Sequence, residues 1–130
     1  MKWCKVKLLN KLGDKKMLDK TIEISMLFDY YGKLLTDKQQ KIIGLYYYQD
    51  LSLGEIAENL DISRQGVYDH LNRAEDTLKS YEDKLQLVKR NKKNIGIINE
   101  LINYIKDDDD INKKTKKYLL DKLKEMNKNI

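Results

Sequence analysis

The feature that most constrains the fold of this chain is a pair of closely spaced helix-capping signals near its middle. Ser52 and Glu55 have the spacing of a capping box, in which the two side chains satisfy the first backbone N–H groups of a helix. Residues 61–62 then make a tight turn, and Ser63 caps a second helix that begins at Arg64. Two helices joined by so short a turn, with an isoleucine packed inside it, have the spacing of a helix-turn-helix. Caps, turn length and apolar positions agree, so the sequence predicts this motif.

The composition points to an all-α fold and excludes several kinds of site. The 130 residues contain no proline and only six glycines, so little in the chain interrupts long helices. A single cysteine, Cys4, and a single histidine, His70, exclude an internal disulfide and a Cys/His zinc site. No apolar run approaches the roughly 20 residues that cross a bilayer. We therefore expect a soluble, cytoplasmic protein with no integral membrane segment.

Two helices are predicted before the motif. Residues 17–35 form the first, and Thr36 with Gln39 makes a capping box for the second, which runs through Gln49. The expected inward stripe of the first helix is Leu18, Ile22, Met26 and Leu27, widened by Phe28, Tyr30, Tyr31, Leu34 and Leu35.

The helix that begins at Arg64 is predicted to be long. Its apolar residues alternate in steps of four and three, which is the spacing of a heptad seam. Such a seam predicts homodimerisation, whereas the same spacing also suits an amphipathic helix that packs on the first helix of its own domain. The seam residues are Val67, Leu71, Ala74, Leu78, Tyr81, Leu85 and Val88.

The remainder of the chain is predicted to be a basic helical tail. Residues 90–94 interrupt the heptad pattern, so we expect a helix-turn-helix domain over residues 17–90 and a tail over residues 91–130. A fifth helix is expected around residues 95–105 and a sixth around residues 118–126. The last helix is amphipathic and could close a core, or touch RNA or an anionic membrane surface, with its lysines. These are Lys113, Lys114, Lys116, Lys117, Lys122, Lys124 and Lys128.

Charge is unevenly distributed along the chain. The net charge is +5, but residues 17–83 carry seven Lys/Arg and thirteen Asp/Glu, a net charge of −6. Residues 84–130 carry thirteen basic and seven acidic side chains, a net charge of +6. The segment that holds the motif is therefore acidic, which weighs against DNA binding, because phosphate neutralisation by Lys and Arg supplies most DNA affinity.

The first turns of the helix after the motif's turn supply the candidate binding residues. In a DNA-binding helix-turn-helix these positions reach base edges and phosphates. Arg64 could bind a guanine and Gln65 an adenine, whereas Asp69 would repel phosphates. The alternative is a motif that contacts protein or RNA. The candidate nucleic-acid-binding residues are Ser63, Arg64, Gln65, Tyr68, Asn72 and Arg73.

Nothing in the sequence indicates an enzyme. There is no nucleophile–base pair, no glycine-rich phosphate loop and no metal cluster, so we expect no catalysis, no cofactor and no metal. His70 has no partner at a suggestive spacing and is expected to be solvated or half-buried. Residues 46–48 are three tyrosines that could stack bases, but core and rim positions are expected, with at least one buried and one exposed. Residues 107–110 are four aspartates, which we interpret as a solvated linker rather than a Mg²⁺ site.

The chain resembles a known bacterial family over residues 21–85. The segments LFDYYG, LLTDKQ, YYY, DLSLGEIAE and SRQGVYD follow the order and spacing of the YlxM-like helix-turn-helix proteins. The motif is also similar, more distantly, to region 4 of sigma factors. The resemblance implies a sigma-region-4-like helix-turn-helix bundle with no catalytic residue. It also implies a regulatory role in the signal recognition particle pathway, which for the family is inferred from gene neighbourhood, with the particle's RNA or protein as partner. The alternative is a transcriptional regulator that binds duplex DNA.

The resemblance also bears on residues 1–16. The family pattern begins close to Met17, and Gly13 and Asp14 can be encoded by a sequence that resembles a ribosome-binding site. We therefore expect translation to start at Met17, and the alternative is a genuine basic N-terminal arm.

Overall fold

The computed structural model describes residues 15–129, and this part of the chain is all α-helical, as expected, with no strand. Six α-helices are present in this range: α1 Lys15–Tyr31, α2 Asp37–Ile43, α3 Leu53–Leu60, α4 Arg64–Leu85, α5 Leu87–Asp107 and α6 Lys113–Lys128. The chain divides after Gln86 into two separately compact units, four residues before the predicted domain boundary. The expected start at Met17 concerns residues 1–16, of which residues 1–14, including Cys4, lie outside the described residues.

The buried face of α1 differs from the predicted stripe. Ile24, Leu27 and Tyr31 are buried, whereas Ile22 is 44% exposed. Residues two positions apart lie about 200° apart around a helix, so a face centred on Ile24 turns Ile22 to solvent. The face that contains Leu27 and Tyr31 is buried in place of the predicted one, because it puts the larger, aromatic side chain in the core. Of the other predicted positions, Tyr30 and Leu34 are also exposed.

α1 ends at Tyr31 rather than at Leu35. Residues Gly32–Leu34 form a 3-10 turn, and Leu35 N donates to the Gly32 carbonyl at 3.1 Å. A Cβ atom at position 32 would lie 3.0 Å from the Phe28 ring, so the glycine allows the turn to close over that ring. The turn places Leu35 back in the core.

The predicted capping box of α2 is confirmed, but the helix changes character after Ile43. Gln39 N donates to Thr36 Oγ1 at 3.2 Å, and the Thr36 N–H donates to Gln39 Oε1 at 3.1 Å. Residues Gly44–Tyr48 form a π-helical turn, in which Gln49 N donates to the carbonyl of Gly44, five residues earlier, at 3.0 Å. This wider turn buries Tyr47.

The helix-turn-helix is formed by α3 and α4. Ser52 accepts from the N–H of Glu55 at 3.1 Å, although the Glu55 carboxylate meets the Ser52 hydroxyl rather than its backbone, so half of the predicted capping box forms. Asp61 ends α3 in the left-handed conformation (φ 53°), which aspartate tolerates better than most residues. The N–H of Ile62 then donates to the Ala57 carbonyl at 3.1 Å, which closes the turn.

α4 is the central helix of the first unit. Four of its apolar side chains are buried in this unit, and the Tyr31 hydroxyl of α1 donates to Glu82 Oε2 at 2.6 Å. The prediction that this helix continues to Val88 is wrong, because Gln86 adopts the left-handed conformation (φ 53°) and ends it. The predicted break at residues 90–94 is also wrong: these residues lie inside α5. Residues 90–94 contain neither proline nor glycine, and Lys, Arg and isolated Asn are tolerated inside helices. Nothing in this segment therefore forces the helix to break. The buried side chains of α4 are Val67, Leu71, Ala74, Glu75 and Leu78.

The second unit is a pair of packed helices, α5 and α6, joined by a short loop. α5 buries Ile98, Ile102 and Ile105, at the spacing of one helical face. α6 begins five residues before the predicted helix because Asn112 caps it, accepting from the N–H of Thr115 at 2.9 Å. No α6 side chain is fully buried, and its apolar face is half-buried, with Leu119, Leu120 and Leu123.

Candidate nucleic-acid interface on the fourth helix

The first three turns of α4 have one buried side and one solvent-exposed side. Val67 and Leu71 fix the helix to the core, with relative exposures of 0% and 5%. The opposite side is exposed, so the helix is held firmly while it presents polar groups. All the candidate residues lie on this solvent side: Arg64, Gln65, Tyr68 and Arg73 are exposed and Asn72 is half-buried.

Ser63 acts first as the helix cap. Its Oγ accepts a hydrogen bond from the N–H of Gly66 at 3.0 Å. A Cβ atom at Gly66 would lie 3.1 Å from that oxygen, so the glycine leaves room for the cap. The hydroxyl proton of Ser63 is not used by this bond. The residue can therefore cap α4 and still donate to a phosphate.

Gln65 is restrained by its neighbour one turn along. Its Nε2 donates to Asp69 Oδ1 at 3.1 Å on the exposed surface. The amide nitrogen carries a second hydrogen, so Gln65 has one donor for an adenine edge while the other stays on Asp69. Arg64 and Arg73 are the cations of these turns; they are about 180° apart around the helix and so lie at opposite edges of its exposed side, with Asp69 between them along the chain.

The charge around the motif is negative. Residues 52–76 contain two arginines and six Asp/Glu, five of which are exposed. The sixth, Glu75, is the residue of this region that sequence reasoning missed, because glutamate is rarely fully buried. Its side chain is buried (4% exposed) at the inner side of α4. A signal existed, since Glu75 lies four residues after Leu71 and three before Leu78, on the same helical face.

Glu75 joins three elements of the first unit. Lys20 Nζ of α1 lies 2.8 Å from Glu75 Oε2, and the Tyr47 hydroxyl of the π-helical turn donates to Glu75 Oε1. The hydrogen bond with Glu75 raises the pKa of Lys20, and burial followed by the bond to Glu75 raises the pKa of Tyr47. The carboxylate therefore has partners on two sides, as a buried charge requires. It ties α4 to the first helix and to the π-helical turn.

The proposed dimer seam is divided between different environments. Leu71 and Leu78 are buried inside the first unit, Tyr81 is half-buried and Leu85 is 46% exposed. Val88 is buried but belongs to α5. Leu71 and Leu78 thus also serve the intramolecular core, the alternative use of this spacing, and homodimerisation stays a prediction.

The other candidate features have local roles. Tyr47 is buried while Tyr46 and Tyr48 are half-buried, so the expected exposed tyrosine is absent from this triplet. His70 is half-buried. Asp108 Oδ1 accepts from the N–H of Asp110 at 2.8 Å in the loop before α6. Within residues 15–129, no group of three or more His, Cys, Asp or Glu is arranged to hold a metal ion. No helix in the same range is long and apolar enough to cross a membrane.

Comparison with known proteins gives one consistent result. Residues 18–119 match the sequence model of the UPF0122 family, described as "Putative helix-turn-helix protein, YlxM / p13 like". The chain is 52% identical over 85 residues to a UPF0122 protein of Halalkalibacterium halodurans, covering 65% of this chain and 78% of the relative. It is 61% identical over 74 residues to one of Caldanaerobacter subterraneus (57% and 63%). It is 45% identical over 100 residues to one of Bacillus thuringiensis (77% and 91%).

Proposed function

Because this chain belongs to the YlxM / p13-like family of helix-turn-helix proteins, we propose that it is a non-catalytic regulatory protein that binds duplex DNA through α4. The observation that carries this proposal is the two-sided environment of that helix. Its apolar side and Glu75 are buried, whereas Arg64, Gln65 and Arg73 face solvent. A helix held to the core by one side, with amide groups on its exposed side and a guanidinium at either edge of that side, is suited to the major groove.

The residues of this face have distinct expected roles. Arg64, in the first turn, is placed to bind a guanine edge with both arms of its guanidinium. Asn72 and Gln65 supply amides for adenine, and the hydrogen bond to Asp69 orients the Gln65 side chain. Ser63 and Arg73 contact phosphates, which fix the register of the helix on the duplex.

The test is a fluorescence-anisotropy titration of the full chain against three nucleic acids. These are the duplex upstream of its own gene, a random duplex and the signal recognition particle RNA. Replacing Arg64 by Gln should weaken binding to the preferred duplex about ten-fold, which is within the range for loss of one bidentate base contact. Lys33→Gln is the matched control, because it removes one positive charge at an exposed position before the motif. Equal affinity of the wild type and the Arg64→Gln variant would refute binding through α4.

A second candidate function is favoured by the negative charge of the motif. Five exposed acidic side chains surround two arginines in residues 52–76, which suits a basic protein surface better than a phosphate backbone. With the gene neighbourhood of the family, this points to regulation of the signal recognition particle pathway through its protein component. Binding of the targeting GTPase that weakens when Glu58 and Asp69 are both changed to neutral amides would support this function. Binding that is indifferent to both changes would argue against it.

A further inference from the structure

The two units of the chain differ in the sign of their charge. Residues 15–86 carry ten Lys/Arg and thirteen Asp/Glu, a net charge of −3, whereas residues 87–129 carry twelve and seven, a net charge of +5. Within the second unit, the charges of α5 and of the loop that follows it sum to zero. α6 alone therefore accounts for the excess, with seven lysines and two acidic residues. The cations that a polyanion needs are concentrated on this helix.

Four of these lysines form one stripe along α6. Lys113, Lys117, Lys124 and Lys128 lie four, seven and four residues apart, so their side chains fall within about 60° around the helix. All four are exposed, and the stripe extends about 22 Å along the helix axis. A shallow cleft of about 290 Å³ lies along it, lined by Lys113, Lys116, Lys117, Leu120, Asp121 and Lys124.

The positions of these lysines destabilise α6 as an isolated helix. α6 has no acidic residue in its first turn, where Lys113 and Lys114 oppose the helix dipole. Lys113 and Lys117, one turn apart, also repel each other by about 0.2–0.5 kcal/mol. Among the described residues, the one ion pair within α6 joins Lys122 to Glu125 at 3.1 Å, away from the stripe. Asp121 is the acidic neighbour of Lys117 and Lys124 along the helix, so four lysines of the stripe stand against one carboxylate at its border.

Lys116 lies between the first two lysines of the stripe in the sequence, but its ammonium group bonds to the end of α5. Its Nζ donates to the Lys106 carbonyl at the end of α5, at a distance of 3.2 Å. Asp121 is the acidic side chain that borders the cleft. Neither residue belongs to the stripe, which leaves four ammonium groups on its surface.

From this arrangement we propose that the lysine stripe of α6 binds the phosphate backbone of duplex DNA. This inference rests on the proposed function and assigns different roles to the two helices. α6 supplies sequence-independent affinity for DNA, and α4 supplies base contacts. Phosphate contacts by Lys are the main source of DNA affinity, and α4 with its acidic surroundings offers few. The lysine stripe would supply these phosphate contacts from the same chain.

A membrane is the less suitable partner for α6. A helix that lies on a bilayer buries its own apolar face among the lipid chains. The apolar face of α6 carries Leu119, Leu120 and Leu123, which are already half-buried where the helix packs on α5. α6 also exposes Tyr118 and Met126, but these two side chains are outnumbered by the ammonium groups, which match a phosphate backbone.

The experiment compares two triple variants of the full chain in duplex titrations at several salt concentrations. Lys113, Lys117 and Lys124 are changed to Gln in the first variant, and Lys33, Lys38 and Lys41 in the control, so both lose the same charge from exposed positions. The slope of log Kobs against log salt should fall by about 2.7 in the first variant if each lysine neutralises one phosphate. The loss should be the same for random and preferred duplexes. The control should keep a slope close to that of the wild type. Circular dichroism confirms that both variants are folded.

Other results would overturn the inference in distinguishable ways. If the stripe variant keeps the wild-type slope while Arg64→Gln weakens binding, the role of α6 is refuted and the proposed function stands. If the wild type binds no duplex, both fall. If the stripe variant instead loses binding to phosphatidylserine vesicles, and duplex binding does not change, α6 serves a membrane and the inference is wrong.

Discussion

At the scale of single residues, Glu75 has the most consequential environment in the first unit. A buried carboxylate is costly unless charged or hydrogen-bonding partners surround it, and here Lys20 and Tyr47 provide them. Each partner belongs to a different element, so the acid ties α1 and the π-helical turn to α4. Removal of one partner leaves a buried charge with less compensation, which costs more than an exposed hydrogen bond would suggest.

The pH dependence of stability follows from the same cluster. The raised pKa of Tyr47 means that the folded state holds the phenol neutral, while the unfolded chain ionises near the ordinary value of 10. Stability from this group is therefore present below that pH and is lost above it. The raised pKa of Lys20 acts in the same direction, because its ammonium is favoured in the folded state and that stability is lost as pH rises.

We therefore predict that Tyr47→Phe destabilises the protein by about 1–2 kcal/mol at neutral pH, since Glu75 loses a donor. The difference from the wild type should narrow as the pH rises above the ordinary tyrosine pKa. Urea unfolding at a series of pH values measures this. Tyr104→Phe, at a position 69% exposed, is the matched control. It should change neither the free energy of unfolding nor its dependence on pH. A constant difference across the series would contradict the raised pKa.

Sequence reasoning succeeded at residues whose role depends on near neighbours. Thr36 and Ser63 could be predicted as caps because a cap needs only a side chain and an N–H three residues on. Ile22 and Glu75 could not be placed, because their environments depend on which helices pack together. For Ile22, the sequence has apolar residues on more than one side of α1, and the folded chain buries the side with Tyr31.

At the scale of elements, α4 serves both the core and the surface. Its heptad spacing predicts a seam, but a seam and an intramolecular core use the same side of a helix, so periodicity alone cannot separate them. The boundary at Gln86 was also missed, because a left-handed residue other than glycine has no strong signal in one sequence.

Two substitutions on α4 separate the core from the seam. Leu78→Ala should cost about 3 kcal/mol, because the side chain is completely buried inside the first unit. Leu85→Ala should change stability by less than about 0.5 kcal/mol, because that side chain is 46% exposed. Urea unfolding at two protein concentrations provides both values. A large loss at Leu85, together with a midpoint that rises with protein concentration, would instead support the homodimer.

At the scale of the whole molecule, the chain is two compact units of opposite charge. The first has a core drawn from four helices and the π-helical turn, whereas the second buries a few side chains of α5 and none of α6 completely. Two helices with so small a core are marginal in isolation. The tail's helical nature was predictable from its periodicity, but its start at Leu87 was not.

We predict that the fragment of residues 1–86 unfolds cooperatively in urea with helical circular dichroism. The fragment of residues 87–130 should show a broad, non-cooperative loss of helix, because few apolar side chains stabilise it. The full chain measured under the same conditions is the reference. A non-cooperative transition of the first fragment would show that its core is insufficient alone.

The π-helical turn at Gly44–Tyr48 has a consequence for how the chain tolerates insertions and deletions. A π turn holds one residue more than an α-helical path between the same ends, and each residue rotates a helix by about 100°. Deleting one of the three residues before Tyr47 in this turn would return it to α-helical geometry and carry the Tyr47 phenol away from Glu75. In the loop before the Asn112 cap, the hydrogen bonds of residues 108–110 are local, within the loop or to the last turn of α5. Length variants of this protein should therefore accumulate in that loop, while the tyrosine turn keeps its residue count.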